Sequence, residues 1–395
     1  MKTKLVIFGI TGDLSRRKLL PALRDIIDSG ECEDLSIIGV SRRDVDVPEL
    51  VIEATGTDTL VGFTSVFTMD LAAPDDYTGL KDYLALQQDE QVLMYLAVPP
   101  SAAATIVDFL GAAGVNTPNV KLLFEKPFGF DLVSAQDFID RTSRYFEESQ
   151  IYRIDHYMAK EVAAEVIQMR SDSEHHSHTW GKESIESVEI TASEIIGIED
   201  RAAFYEETGA LRDVVQGHLM QLLSLVLMDL SPPFAIEDLS ERRLRALELL
   251  KLADPTMAIR AQYKGYQEAV QNPGSVTETF VSVLLGSDDE RWDGVKLRLT
   301  AGKNLDVKQS AISIRYTDGT EHMFEESTVQ STDARLPDAY ERVLVEAIRS
   351  RKYIFTTSPE ILRSWKILLP IQEAWAMTHT PLRVYQPGTA VKELI

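Results

Sequence analysis

Leu5-Val6-Ile7-Phe8-Gly9-Ile10-Thr11-Gly12-Asp13-Leu14-Ser15 is the stretch on which the fold turns. A short apolar run meets a glycine turn directly, and a helical pattern begins at about residue 16. A buried strand, a tight turn and a helix N-terminus in that order can hold a pyrophosphate, through backbone N–H groups and the positive end of the helix. Glycine allows the turn and a close backbone approach. The spacing is GxxGDL rather than GxGxxG, so an ordinary strand-to-helix turn stands as the alternative here. The candidate cofactor residues of the turn are Gly9, Thr11, Gly12, Asp13 and Leu14.

Outward from this stretch, apolar runs at 5–8, 36–40, 92–98 and 120–124 read as buried parallel strands. Helical patterns at 16–28, 76–86, 102–113 and 133–146 lie between and after them. This alternation predicts a doubly wound sheet. The second strand ends in Gly39-Val40-Ser41-Arg42-Arg43. NAD sites place a carboxylate at such a strand end, whereas NADP sites place an arginine there for the 2′-phosphate. Ser41 and Arg42 are therefore the candidates for NADP, with NAD as a weaker alternative and a pair of solvated arginines as the structural one.

Beyond about residue 155 the pattern changes. Helices are expected at 159–170, 209–229, 236–250, 338–349 and 359–377, and strands at 185–191, 307–316 and 321–324. Val295, Leu297 and Leu299 alternate with Lys296, Arg298 and Thr300, as in a strand with one buried face. Strands grouped without intervening helices predict a large mixed or antiparallel sheet with helices on one face. The expected fold class is thus α/β plus α+β, with domains at 1–155 and 156–395.

The net charge is −22, from 40 basic and 62 acidic residues. Such a field disfavours nucleic acid and anionic membrane surfaces as partners. An anionic substrate would need basic residues gathered locally against it. No apolar run approaches the roughly 20 residues of a membrane-spanning helix. The opening segment lacks a cleavage site, so it reads as a strand rather than a signal peptide. With the single cysteine, Cys32, this fits a reducing compartment and a cytoplasmic location.

Three segments carry candidate chemistry. Phe124-Glu125-Lys126-Pro127-Phe128-Gly129 closes a buried strand, where Lys126 can reach both a nicotinamide and a sugar hydroxyl. Arg153-Ile154-Asp155-His156-Tyr157-Met158-Ala159-Lys160-Glu161 places a carboxylate, an imidazole, a phenol and an ammonium together. His156, Tyr157 and Lys160 could cradle a phosphate dianion. Gly209-Ala210-Leu211-Arg212-Asp213-Val214-Val215-Gln216-Gly217-His218-Leu219 puts His218 on an apolar helix stripe, where a core histidine is the plain alternative to a base.

In combination, GxTGDLxxRKLLPAL, EKPFG, RIDHYxxKE and the Asp213–His218 helix resemble the glucose-6-phosphate dehydrogenase family in order and register. The segments 294–305, 337–342 and 364–368 and the ending Tyr385-Gln386-Pro387-Gly388 continue the resemblance. It implies a Rossmann domain plus a β+α domain, and a homodimer or homotetramer built through the second sheet. It implies glucose 6-phosphate as substrate, hydride transfer to NADP+ and the first step of the pentose phosphate pathway. His218 would be the base for the C1 hydroxyl, with Asp155 orienting it. His156, Tyr157 and Lys160 would bind the phosphate, and Lys126 would sit between sugar and nicotinamide. Glu194 and Asp213 would hold sugar hydroxyls, and Lys303 with Lys308 would complete the pocket. Alternatives are a related oxidoreductase acting on another sugar phosphate, or a sensor that retains the pockets without turnover. The stretch Ser171-Asp172-Ser173-Glu174-His175-His176-Ser177-His178-Thr179 departs from the family, which is apolar there. It is expected to be a polar loop, and no metal is expected, because no acidic or cysteine set at ligand spacing accompanies the histidines.

Overall fold

The computed structural model describes residues 2–32, 34–171, 180–325, 338–378 and 381–395. They fall into two compact units. The first comprises the described residues of Met1–Gly129, Val133–Ala159 and Ala334–Ser358; the second, those of Phe130–Leu132, Lys160–Asp333 and Pro359–Ile395.

The first unit is built on six parallel strands: β1 (Thr3–Phe8), β2 (Leu35–Ser41), β3 (Thr64–Thr68), β4 (Gln91–Leu96), β5 (Val120–Phe124) and β6 (Ile151–Arg153). Their order is β3-β2-β1-β4-β5-β6, so the winding reverses between β1 and β4. β4 is buried along its whole length, as a central strand covered on both faces requires. The reversal creates the crevice at the strand carboxyl ends in which open α/β sheets bind ligands. Two strands escape the apolar-run reading: β3 has no fully buried residue, and β6 has only three residues.

A late segment also belongs to this unit. The helix Ala339–Ile348 packs on the helix Leu20–Asp28 and on the turn His156–Ala159. The fully buried Arg153 guanidinium meets Glu148 at 2.7 Å, and Glu148 in turn accepts the Ser358 backbone N–H at 2.9 Å and its hydroxyl at 2.7 Å. This charge-assisted set ties residues near 150 to residues near 358.

The second unit holds seven strands: β7 (Ile185–Ser193), β8 (Ala258–Tyr263), β9 (Phe280–Leu285), β10 (Lys296–Gly302), β11 (Gln309–Tyr316), β12 (Glu321–Glu325) and β13 (Arg383–Tyr385). Their order is β12-β11-β7-β10-β9-β8-β13. β7 with β10 and β8 with β13 run parallel and the other pairs antiparallel, giving a mixed sheet. Leu297 and Leu299 are fully buried, but Thr300, expected on the open face, is only 2% exposed and its hydroxyl bonds Ser282 at 3.1 Å. The expected helix over 209–229 is also corrected. Gly209 takes φ +62° and breaks the path, after which a π-helix, Leu211–Leu219, leads into the buried α-helix Met220–Leu227. The π-helix packs on β7 and β10. No helix among the described residues is long and apolar enough to cross a membrane.

Candidate active site

In the first unit the glycine turn follows β1 directly. Gly9 has φ +85°, and a Cβ there would stand 2.7 Å from the Ala97 carbonyl oxygen, so only glycine fits. The Gly9 carbonyl accepts both the Gly12 N–H and the Ser15 hydroxyl at 2.9 Å, which closes the turn. Leu14 is half-buried, while Thr11, Gly12 and Asp13 form an exposed rim. The Asp13 carboxylate meets Arg17 at 2.6 Å, an exposed pair of little energetic weight. At the neighbouring end of β2, the Ser41 hydroxyl oxygen accepts the Arg43 N–H at 3.2 Å. Arg42 is exposed and makes no hydrogen bond or ion pair among the described residues. A close-approach glycine turn and an available guanidinium on adjacent strand ends fit a nicotinamide dinucleotide.

Three more strands of the same sheet end in acid–base groups. The Tyr95 hydroxyl of β4 donates to Glu125 Oε1, just past β5. Lys126 follows, half-buried. Beyond β6, Asp155 is 2% exposed. Asp155 Oδ1 accepts the Tyr157 N–H at 3.0 Å and its carbonyl accepts the Met158 N–H at 3.0 Å. Asp155 thereby fixes the turn His156–Ala159 as an N-cap would. The His156 ring lies nearly parallel to Tyr340, 6.5 Å away at 12°, and edge-on to Tyr157 at 5.1 Å. The Lys18 ammonium stands 5.9 Å from the Tyr340 ring centre. Neither Tyr95 nor Tyr340 is legible as a site neighbour in sequence, because each is brought in by tertiary packing alone.

In the second unit, β7 and β10 end side by side with Ser193 opposite Gly302. The residues that follow, Glu194 and Lys303, form an ion pair at 2.6 Å, with Lys303 almost wholly buried. The Glu194 N–H donates to the Gly302 carbonyl at 2.9 Å, which fixes the spacing. The Lys303 ammonium also lies 5.4 Å from the Tyr205 ring centre. Burial, followed by the nearby Asp213 and Glu278 carboxylates, pushes Tyr205 well above the ordinary tyrosine value. Its hydroxyl thus stays protonated. Asp213 and Gly217 are half-buried on the π-helix, and His218 is 6% exposed. Lys308 differs from Lys303: it is exposed, and it makes no ion pair among the described residues.

Glu278 is the neighbour of the π-helix that sequence reasoning misses. It is buried, and its Oε1 accepts the Leu211 N–H at 2.9 Å at the first residue of the π-helix. Burial raises its pKa, against the lowering effect of that hydrogen bond. The only hint in the sequence is the glycine of Gly209-Ala210-Leu211. The histidines 175, 176 and 178 lie outside the described residues.

A doubly wound sheet with this turn, followed in one chain by a mixed sheet carrying buried acid and base side chains, defines a nicotinamide-dependent dehydrogenase. The family models agree. The model described as "Glucose-6-phosphate dehydrogenase, NAD binding domain" matches residues 6–165, and that for the C-terminal domain matches 167–334 and 325–393. The chain belongs to the glucose-6-phosphate dehydrogenase family. It is 30% identical to glucose-6-phosphate 1-dehydrogenase of Gluconobacter oxydans, covering 97% of this chain and 93% of the relative. For the Dickeya dadantii enzyme the identity is 29% over 460 aligned positions, more than the 395 residues present here, so the relative carries internal segments that this chain lacks. A solved Mycobacterium avium glucose-6-phosphate 1-dehydrogenase superposes with a TM-score of 0.85 at 30% identity, covering 98% of this chain and 94% of that one. A glucose-6-phosphate dehydrogenase solved with its substrate glucose-6-phosphate superposes with a TM-score of 0.89 at 25% identity, covering 98% and 95%.

Proposed function

We propose that this chain oxidises C1 of D-glucose 6-phosphate to 6-phospho-D-glucono-1,5-lactone, with NADP+ as hydride acceptor. This is the entry reaction of the pentose phosphate pathway, carried out in the cytoplasm by a homodimer or homotetramer. The observation that carries the reading is the match of both family domains, end to end, over residues 6–165 and 167–393. Residues 1–155 would serve as the cofactor domain and 156–395 as the substrate and oligomerisation domain.

When bound, the nicotinamide dinucleotide supplies the hydride acceptor. Gly9, Thr11, Gly12, Asp13 and Leu14 would hold its pyrophosphate, and Ser41 with Arg42 its 2′-phosphate. The exposed Arg42 guanidinium supports NADP over NAD. Loss of hydride from C1 becomes easy only as the C1 hydroxyl gives up its proton, which calls for a base of near-neutral pKa. His218 is assigned that proton, and Asp155 the orientation of the imidazole and stabilisation of its cation. His156, Tyr157 and Lys160 would bind the phosphate against the protein's overall negative charge. Lys126 would lie between sugar and nicotinamide. Glu194 and Asp213 would hold the sugar hydroxyls and Lys303 with Lys308 would complete the pocket, a reading supported by the 2.6 Å Glu194–Lys303 ion pair.

The test is a steady-state assay of glucose 6-phosphate against free glucose, each with NADP+ and with NAD+. Turnover confined largely to the phosphorylated sugar with NADP+ is expected. Equal turnover of glucose, or no turnover of either sugar, would overturn the assignment.

A further inference from the structure

We propose that Glu125 is a positioning residue: held by the Tyr95 hydroxyl at the end of β5, it places a second carboxyl beside Asp155 and so tunes the group assigned to orient the base. This rests on the dyad assigned above.

The geometry comes from three adjacent parallel strands. Leu96 of β4 pairs with Phe124 of β5, and Phe124 pairs with Arg153 of β6. One step further, the Ile154 N–H donates to the Phe124 carbonyl at 2.8 Å. The backbone therefore locks Glu125 alongside Ile154, one residue before Asp155. Tyr95 is fully buried, and burial, then the Glu125 charge, pushes its ionisation well above the ordinary tyrosine range. It is therefore a permanent donor to Glu125.

Among the described residues, four groups face Glu125: Tyr95 from β4, Lys126 from its own strand end, Asp155 from beyond β6, and Tyr340 from the helix Ala339–Ile348. Burial raises the carboxyl most. The Tyr95 hydrogen bond lowers it, Asp155 raises it again and Lys126 lowers it, with a net position of about 7. The nearby Asp155 carboxylate makes ionisation of Glu125 costlier. Below about pH 7 the Glu125 carboxyl is largely protonated. Above it, the Glu125 carboxylate adds a second negative charge that favours imidazolium, which strengthens the base that takes the C1 proton.

The experiment is the pH dependence of kcat/KM with glucose 6-phosphate and NADP+ for wild type, Glu125→Gln and Tyr95→Phe. Glutamine keeps an acceptor for Tyr95 and is permanently neutral. Wild type should show two ionisations on its acid limb. Glu125→Gln should show one, displaced downward by roughly half a unit to one unit, with a lower plateau. Tyr95→Phe should move the Glu125 ionisation upward by about one unit, since the carboxylate loses a donor. Superimposable profiles for wild type and Glu125→Gln would overturn the inference.

A readout independent of turnover separates this failure from failure of the functional assignment. The infrared carboxylic-acid band in the wild type minus Glu125→Gln difference should fade between about pH 6 and about pH 8. A band absent throughout, or unchanged across that range, would overturn the inference even in an inactive enzyme.

Discussion

The Glu278 carboxylate accepts the Leu211 N–H at 2.9 Å, and so caps the π-helix that carries Asp213 and His218. The same carboxylate fills the space beside Gly209, where a Cβ would meet Oε1 at 2.5 Å. A buried acceptor and a residue without a side chain together fix where that helix begins.

Gly209→Ala should therefore do two things. It forces a left-handed backbone on alanine and pushes against a buried carboxylate, which should destabilise by about 1 kcal/mol or more. It should also shift the start of the π-helix, lowering kcat several-fold. Thermal unfolding and steady-state kinetics on the same preparation check both; unchanged kcat would detach the helix start from catalysis.

His218→Asn should lower kcat by roughly 10² or more, with little change in substrate binding, as loss of a general base does. Near-wild-type turnover would return His218 to the role of a core residue on an apolar stripe.

Arg42→Ala should raise KM for NADP+ and leave NAD+ kinetics almost unchanged, so the cofactor preference falls by about tenfold or more. The ratio of kcat/KM values for the two cofactors measures it. An unaltered ratio would place the 2′-phosphate elsewhere.

Lys303→Met should raise KM for glucose 6-phosphate by about tenfold, since a buried cation that positions Glu194 is lost. Calorimetry should show a parallel fall in Tm. A fall in Tm with unmoved KM would make the pair structural only.

Burial alone would raise the Glu148 carboxyl, but the Arg153 guanidinium and the Ser358 donors outweigh it and hold the group below the ordinary carboxylate value. A depressed pKa in the folded state gives stability that is present above the unfolded value and lost as pH falls through the folded one. Glu148→Gln should thus be less stable than wild type near neutrality, and the gap should close below about pH 4. Urea titrations at a series of pH values would reveal it, and a gap independent of pH would remove the ion pair as its source.

The sequence makes the Rossmann half largely legible. β1, β2, β4 and β5 are apolar on both faces, and burial of that kind leaves a run that needs no context. β3 escapes because it lies at an edge and is only half-covered, and β6 because three residues carry no period. The second half is harder to read. β8 begins with half-buried Ala258, Ile259 and Arg260, and the i→i+5 pattern of Leu211–Leu219 leaves no trace in a 3.6-residue reading. Motif residues such as Asp155 and Lys126 stand out because their chemistry is concentrated locally. Glu278 and Tyr205 do not, since a single acid or phenol gains meaning only from partners dozens of residues away.

Tyr385 shows what such distance entails. Its hydroxyl donates to the Lys303 carbonyl at 2.6 Å, and its strand, β13, pairs in parallel with β8. A nascent chain that has emerged only as far as residue 380 already contains every side chain assigned to the chemistry, but the loop bearing Lys303 still lacks this anchor. The Lys303 loop is thus tethered from 82 residues further along the chain, and a truncation before Tyr385 would leave it without that tie.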